Sequence, residues 1–248
     1  MNEIEAVYTL HSDLPREAPG SDSATRDALR RLPTMCDQPT VWDVGCGPGR
    51  SAIVLAQELQ SPIIALDVHA PYLQTLAESA RRHGVEQFVE TRCGSMAAID
   101  APEGSIDLIW AEGSIYNLGF SQALRAWRRL LRDPGFVVAT EATWLTDDPP
   151  DEARRFWNAG YPAMTDREGN RRLAAEAGFD VLDDFTLPQS AWWDEYLAPL
   201  EQRMATLEWQ AEQHPALAAV IAETEKEIDI CRRFGDAVGY VFYLMRAC

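Results

Sequence analysis

The chain has 248 residues, of which 46% are hydrophobic and 25% are charged, as in a globular protein of one large domain or a domain with a lid. The formal net charge of −17 disfavours a nucleic-acid partner, because an acidic surface repels phosphates. Five cysteines without a C-x-x-C pair predict neither a disulfide framework nor a metal site. With no long apolar run, neither a signal peptide nor a membrane span is expected, which indicates a cytoplasmic location.

Short apolar runs alternate with amphipathic stretches through the middle of the sequence. That alternation predicts strands at 40–44, 63–68, 87–91, 106–111, 136–142 and 179–187, and helices at 51–60, 71–83, 121–132 and 167–177. Strands and helices in this order form a mostly parallel sheet with helices on both faces. The predicted fold class is therefore α/β, a doubly wound sheet, with an antiparallel last strand at 238–245.

Two regions lie outside this rhythm. An N-terminal cap is expected at 1–39, with a Pro/Gly-rich stretch followed by a helix at 22–32. A helical insertion is expected at 190–234, where Pro199 should kink the first helix, and the pair could act as a lid or as the surface of a homodimer. The remaining parts are a core at 40–189 and a closing strand at 235–248.

The most informative stretch is VWDVGCGPGR at 41–50, which ends a predicted strand and opens a predicted helix. A doubly wound sheet binds its ligand at this position, and the three glycines would let backbone approach a flat ligand closely. A dinucleotide fingerprint would need glycine where Arg50 stands, so NAD is disfavoured. Asp67 ends the next strand, where a carboxylate can accept hydrogen bonds from both ribose hydroxyls or cap the following helix.

DVGCGPG followed by LDVH resembles the first two motifs that bind S-adenosylmethionine (SAM) in class I methyltransferases, which have a Rossmann-like fold. LPREAPGSD, AEGSIYNLGF, EATWLTD and LPQSAWWDEY are similar to segments of a bacterial subgroup and extend the resemblance over essentially the whole chain. The resemblance implies a SAM-dependent methyltransferase that releases S-adenosylhomocysteine (SAH). The resemblance also implies that the cofactor is contacted by Asp43, Gly45, Cys46, Gly47, Asp67, Val68, Ser95 and Met96.

Two further residues are candidates for the cofactor site. Arg16 would pair with the SAM carboxylate, because a guanidinium binds a carboxylate through two hydrogen bonds. Glu112 follows the fourth predicted strand and could be a cofactor contact, a general base, a ligand of a cationic acceptor or only a helix cap.

The acceptor is expected at the loops that follow the fourth and fifth strands. Tyr116 and Asn117 could orient it and are, with Glu112, the predicted catalytic residues, although either could simply satisfy buried backbone. His11, near the cap, could be a base. Carboxylates beside aromatic rings suit an ammonium group, although such rings equally predict packing, and the residues in question are Glu112, Glu141, Asp194, Tyr116, Trp144, Trp192 and Trp193.

These observations favour methyl transfer to a small molecule, with an amine as one candidate acceptor. An RNA or protein methyltransferase and a catalytically silent SAM-binding module are the alternatives. The RNA methyltransferase hypothesis would require a basic surface to bind phosphates, and so acidic a composition makes such a surface hard to build.

Overall fold

The computed structural model describes residues 1–248, and a single sheet runs through it. The strands are β1 Val41–Val44, β2 Ile63–Asp67, β3 Val89–Cys93, β4 Ile106–Ala111, β5 Leu131–Trp144, β6 Thr165–Asp166, β7 Phe179–Thr186 and β8 Val238–Ala247. Their order is β3-β2-β1-β4-β5-β8-β7, with the short β6 beside β5. All pairings among the first six strands are parallel, whereas β8 is antiparallel to both of its neighbours. The predicted fold class is confirmed.

Ten α-helices surround or cap the sheet. They are α1 Glu3–His11, α2 Asp22–Arg31, α3 Arg50–Leu59, α4 Ala70–His83, α5 Phe120–Arg128, α6 Asp151–Gly160, α7 Arg167–Glu176, α8 Gln189–Trp192, α9 Ala198–Ala211 and α10 Pro215–Phe234. A 3-10 turn at Ile115–Asn117 precedes α5, and a π-helical turn at Trp193–Leu197 joins α8 to α9. No helix combines the length and the apolar character that crossing a bilayer requires.

The central strands are buried on both faces because they are continuous apolar runs. Every residue of β1 and β4 is buried. Successive side chains of β4 point to opposite faces, so Ile109 packs in one core cluster and Trp110 in the other. This sheet is the rigid base on which the loops at its carboxyl end are held.

The structure differs from the sequence prediction in three local features. The helix expected at 121–132 ends at Arg128, because Leu131 pairs with Ile106 and β5 continues through Pro134. The helices α1 and α6 were not predicted at all. The irregularity expected at Pro199 is a π-helical turn just before it, which accommodates a ring that would clash with a carbonyl of the preceding turn.

The N-terminal cap and the helical insertion, which lie outside the alternating strand–helix pattern, contact each other. Helix α1 packs against α9 and α10. Arg203 on α9 donates to the Thr9 carbonyl oxygen at 3.1 Å and to Ser12 Oγ at 2.7 Å. The N-terminal cap and the helical insertion therefore form one continuous roof.

Candidate active site

A cavity of about 840 Å³ lies between the carboxyl ends of the parallel strands and this roof. Gly47 follows β1, Asp67 ends β2, Met96 follows β3 and Ser114 follows β4, and all four residues line the cavity. Helix α1 contributes Tyr8 among others. The cavity thus occupies the place where a doubly wound sheet binds its ligand.

The glycine loop after β1 has a shape that other residues cannot adopt without strain. Gly45 and Gly47 have φ angles of 68° and 54°. A Cβ at Gly45 would lie 2.5 Å from the Cβ of Ser114, whose hydroxyl donates to the Val44 carbonyl at 2.6 Å. The loop therefore lies flat against the turn after β4 and leaves the cavity open above it.

Asp67 is held at the cavity wall by two backbone groups. Its Oδ2 accepts the Gly47 N–H at 2.9 Å, and its Oδ1 accepts the His69 N–H at 2.8 Å. A carboxylate has further lone pairs after accepting two bonds, so this one can still accept from ribose hydroxyls. The sequence predicted that Asp67 either binds the ribose or caps the following helix, and this geometry is compatible with both roles.

Asp43 lies beneath the loop and does not line the cavity. It accepts a hydrogen bond from Ser51 Oγ at 2.7 Å, which ties β1 to the first turn of α3. Burial raises the pKa of Asp43 to about 7. Its structural contribution is to fix the loop, while Cys46 is buried beside it and lines a smaller adjoining pocket.

An apolar slot beside Asp67 has the chemistry of an adenine site. Its walls are Leu66, Val68, Met96, Ala97 and Leu118, and Val68 is 61% exposed because it faces the opening. The loop after β3 is fixed by Trp127, whose Nε1–H donates to the Met96 carbonyl at 2.9 Å. Ser95 also lines the slot, but its hydroxyl accepts the Ala97 N–H at 3.2 Å. The glycine loop, the carboxylate and this slot together fit an adenosine group.

Glu112 lies outside the cavity lining, in a buried network with the N-terminal cap. Arg16 Nη1 donates to its Oε1 at 3.1 Å, and Thr25 Oγ1 and Trp110 Nε1 donate to its Oε2 at 2.8 and 3.1 Å. The Glu112 side chain is 3% exposed and that of Arg16 is 6% exposed. With both carboxylate oxygens engaged, the geometry gives no support to Glu112 as a general base or as an ammonium ligand.

Arg16 lies beside the glycine loop. Its Nη2 donates to Asp22 at 2.8 Å, and it lines the smaller pocket together with Gly45 and Gly47. Its Nε has no hydrogen-bond partner. The role proposed from the sequence, pairing with the SAM carboxylate, stays a prediction.

The far end of the cavity is lined by aromatic side chains and acids, and we call it the acceptor end. It comprises His11, Glu17, Tyr116, Asn117, Phe156, Trp157, Tyr161, Trp192, Tyr196, Glu227 and Tyr240. Tyr116, Asn117, His11 and Trp192 were all candidates from the sequence. Trp144, Trp193 and Asp194 were candidates too, but they do not line this cavity.

The acids of the acceptor end were not found from the sequence. Glu17 resembles its charged neighbours in the cap, and Glu227 is one of several acids on α10. The only available signal was helical spacing, which places Glu227 one position before the buried Ile228. Glu227 is partly buried, and this burial raises the pKa of its carboxyl.

Glu141 is buried next to the acceptor end but does not line the cavity. Its side chain is 2% exposed and its Oε2 has no hydrogen-bond partner. Burial raises the pKa of Glu141 to about 8, and the neighbouring Tyr161 hydroxyl partly offsets the rise. Tyr161 lines the cavity and Glu141 does not, so Glu141 would influence the site through its contact with Tyr161.

Comparison with known proteins agrees with this geometry. Residues 41–135 match a protein family described as a methyltransferase domain. A relative named trans-aconitate 2-methyltransferase, from Azoarcus sp. strain BH72, is 29% identical over 81% of this chain and 71% of its own length.

Solved structures with the same fold include a SAM-dependent methyltransferase from Geobacter sulfurreducens in complex with S-adenosyl-L-homocysteine. It is 16% identical, has a TM-score of 0.82 and matches over 98% of both chains. The [4+2]-cyclase SpnF also matches, with 20% identity, a TM-score of 0.75 and coverage of 99% of this chain and 94% of its own. Structural likeness at these identities shows the fold, whereas the domain match indicates the reaction.

Proposed function

We propose that this chain acts as a class I SAM-dependent methyltransferase and that its acceptor is a small molecule that bears an amine. The glycine loop, Asp67 and the apolar slot would hold SAM, which supplies a methyl group already activated by its sulfonium centre. The protein's own task is then to align the acceptor and to exclude water. The roof formed by α1, α9 and α10 supports the second role.

The observation that carries the proposal is the charge of the cavity wall. The lining includes the carboxylates of Glu3, Glu17, Asp67 and Glu227, and it includes no Arg or Lys. Coulomb interactions strengthen where water is excluded, so a cation is attracted to this wall and an anion is repelled.

The aromatic residues of the acceptor end support the same reading. Tyr196 and Trp192 line the cavity on the side of the insertion, and Tyr116 and Tyr161 line it on the side of β4 and α6. An ammonium group gains attraction from such ring faces, and the gain increases when the site is desolvated. Glu227 would then pair with a charge that offsets the cost of its own burial.

A polycarboxylate acceptor fits this wall poorly, although relatives of the chain are named for trans-aconitate. Carboxylates are recognised in proteins mainly by Arg and Lys, often through two hydrogen bonds. No cationic side chain lines the cavity, and Arg16 is already paired with Glu112 and Asp22.

The proposal also covers location and partners. A cytoplasmic enzyme that does not act on nucleic acid is consistent with the net charge of −17. We keep the homodimer as a prediction that a sedimentation experiment would test.

The test is an acceptor panel in which SAH formation is measured with 2-phenylethylamine, phenol and trans-aconitate. We expect turnover with the amine. Glu227→Gln should raise the KM for the amine about tenfold or more, since a hydrogen bond to a charged group contributes roughly 1.5–3 kcal/mol. Glu225→Gln, at an exposed position of the same helix, is the matched control and should leave the KM unchanged. Turnover of trans-aconitate without turnover of any amine would overturn the proposal.

A further inference from the structure

A histidine and a carboxylate form a pair in the lining of the acceptor end. His11 Nδ1 lies 2.9 Å from Glu17 Oε2. Both residues line the cavity, and both side chains are largely buried. His11 is the last residue of α1, and Glu17 follows in the cap segment, so the pair belongs entirely to the N-terminal cap.

Glu17 packs against the glycine loop. A Cβ built on Gly47 would lie 3.2 Å from Glu17 Cγ, so the acid side chain rests directly on the loop. Its Oε1 is buried and has no hydrogen-bond partner. The pair therefore stands beside the backbone that would hold the cofactor.

The pairing also defines what the imidazole can do. A carboxylate at Nδ1 favours the tautomer that carries its proton there, which leaves Nε2 as an acceptor. No protein group hydrogen-bonds to Nε2 of His11. A histidine oriented by an acid, with a free ring nitrogen in a cavity, has the arrangement of a general base.

We propose that His11 is the general base that takes a proton from the acceptor, and that Glu17 is the positioning residue that orients it and stabilises its charged form. This inference rests on the proposed function, since it concerns the acceptor of the same reaction. It also implies that the base comes from the cap rather than from the loops that follow β4 and β5.

Methyl transfer to an amine balances in protons and electrons when His11 is the base. The bound ammonium gives one proton to His11 Nε2, and the freed nitrogen lone pair forms the bond to the methyl carbon. The carbon–sulfur bond breaks and its electron pair stays on sulfur. The products are a methylated ammonium and SAH, and His11 later returns its proton to water.

Acidic and phenolic side chains surround the ring. The titratable groups facing His11 are Glu17 on the cap, Glu227 on α10 and Tyr196 on the π-helical turn. Arg203 on α9 is directed away from the ring, toward the Thr9 carbonyl and Ser12. Two acids near the imidazolium offset the charges that the amine and the sulfonium bring into the cavity.

The test compares His11→Ala and Glu17→Gln with His83→Ala, an exposed control that does not line the cavity. With 2-phenylethylamine, kcat should fall about 100-fold or more in His11→Ala and about 10-fold in Glu17→Gln. Aniline is uncharged near neutral pH and should lose less than roughly tenfold, because it needs no deprotonation before attack. Added imidazole should restore part of the rate of His11→Ala, and its calorimetric affinity for SAH should stay within about twofold of wild type.

Three results have distinct meanings. A kcat of His11→Ala within about threefold of wild type, in a folded protein that binds SAH, would show that His11 is not the base. If wild type methylates no amine, the proposed function fails, and the same variants are then compared with whichever acceptor a radiolabelled-methyl screen of metabolite fractions yields. An equal loss with charged and uncharged acceptors, without rescue by imidazole, would assign His11 a packing role instead.

Discussion

Replacing Glu141 by Gln should stabilise the protein, and the gain should depend on pH. The substitution Glu141→Gln keeps the shape of a buried side chain and its reach toward Tyr161, but it removes the ionisable group. In the folded chain this carboxyl has an oxygen without a partner and almost no contact with water. Its charged form is therefore costly in the native state and not in the unfolded chain.

The size of the effect follows from the two pKa values. A free glutamate titrates near 4.5, and burial raises the pKa of Glu141 to about 8. Between those values the unfolded chain has released a proton that the folded chain keeps, so stability falls as pH rises through the window. From pH 5.5 to pH 8 the single group lowers the free energy of unfolding by roughly 3 kcal/mol. Glutamine has no such dependence, so the variant's advantage should grow by that amount.

Urea unfolding at pH 5.5 and pH 8 measures this difference, because all other groups titrate alike in both proteins and cancel. The midpoint of Glu141→Gln relative to wild type should rise by about 1 M between the two pH values, given an unfolding slope of about 3 kcal/mol per molar urea. Glu225→Gln, at an exposed site, should show no change. An advantage of equal size at both pH values would refute the reasoning, since it would mean that the carboxyl of Glu141 titrates normally in the folded protein.

Three further predictions concern the cofactor. Asp67→Ala should weaken calorimetric SAH binding by about 1.5–3 kcal/mol, whereas Asp100→Ala at an exposed position should not, and equal affinities would remove the ribose assignment. Gly47→Val should abolish SAH binding in a folded protein, because it forces a branched side chain into a φ of 54° and against Glu17; unaltered affinity would reduce the loop to a structural turn. Hydrogen exchange in residues 12–24 should slow when SAH binds, and identical exchange with and without ligand would rule out closure of the cap.

The fold could be predicted because its signals are local. Buried parallel strands read as apolar runs, and the loop at 41–50 carries glycines at positions where the structure has positive φ. Helix α1 was missed because its apolar residues do not form one buried stripe: only Ala6 and Leu10 are buried, and its start depends on an Asn2–Glu5 capping box. The core elements and the helical insertion were thus visible in the sequence, whereas α1 and its packing against α9 and α10 were not.

The acceptor end could be predicted only in part, since it depends on which side chains from distant segments converge. Tyr116 and Trp192 were identified and do line the cavity. Glu112 follows β4 as expected, but the sequence could not show that Arg16 and Thr25 would engage both of its oxygens. Pairing between residues 96 and 87 positions apart depends on the tertiary structure, and no local pattern encodes it.

The bonds from Arg203 to Thr9 and Ser12 join segments that are 194 and 191 positions apart. The first helix is therefore synthesised long before α9, the helix whose Arg203 bonds to its end. Contacts of such sequence separation are closed late in folding, because the entropy of a long loop is lost before they form. The parallel strands β1 to β5 can therefore pair before the roof exists, whereas β8, which lies between β5 and β7, follows the roof helices in the chain and completes the sheet only after they have been synthesised.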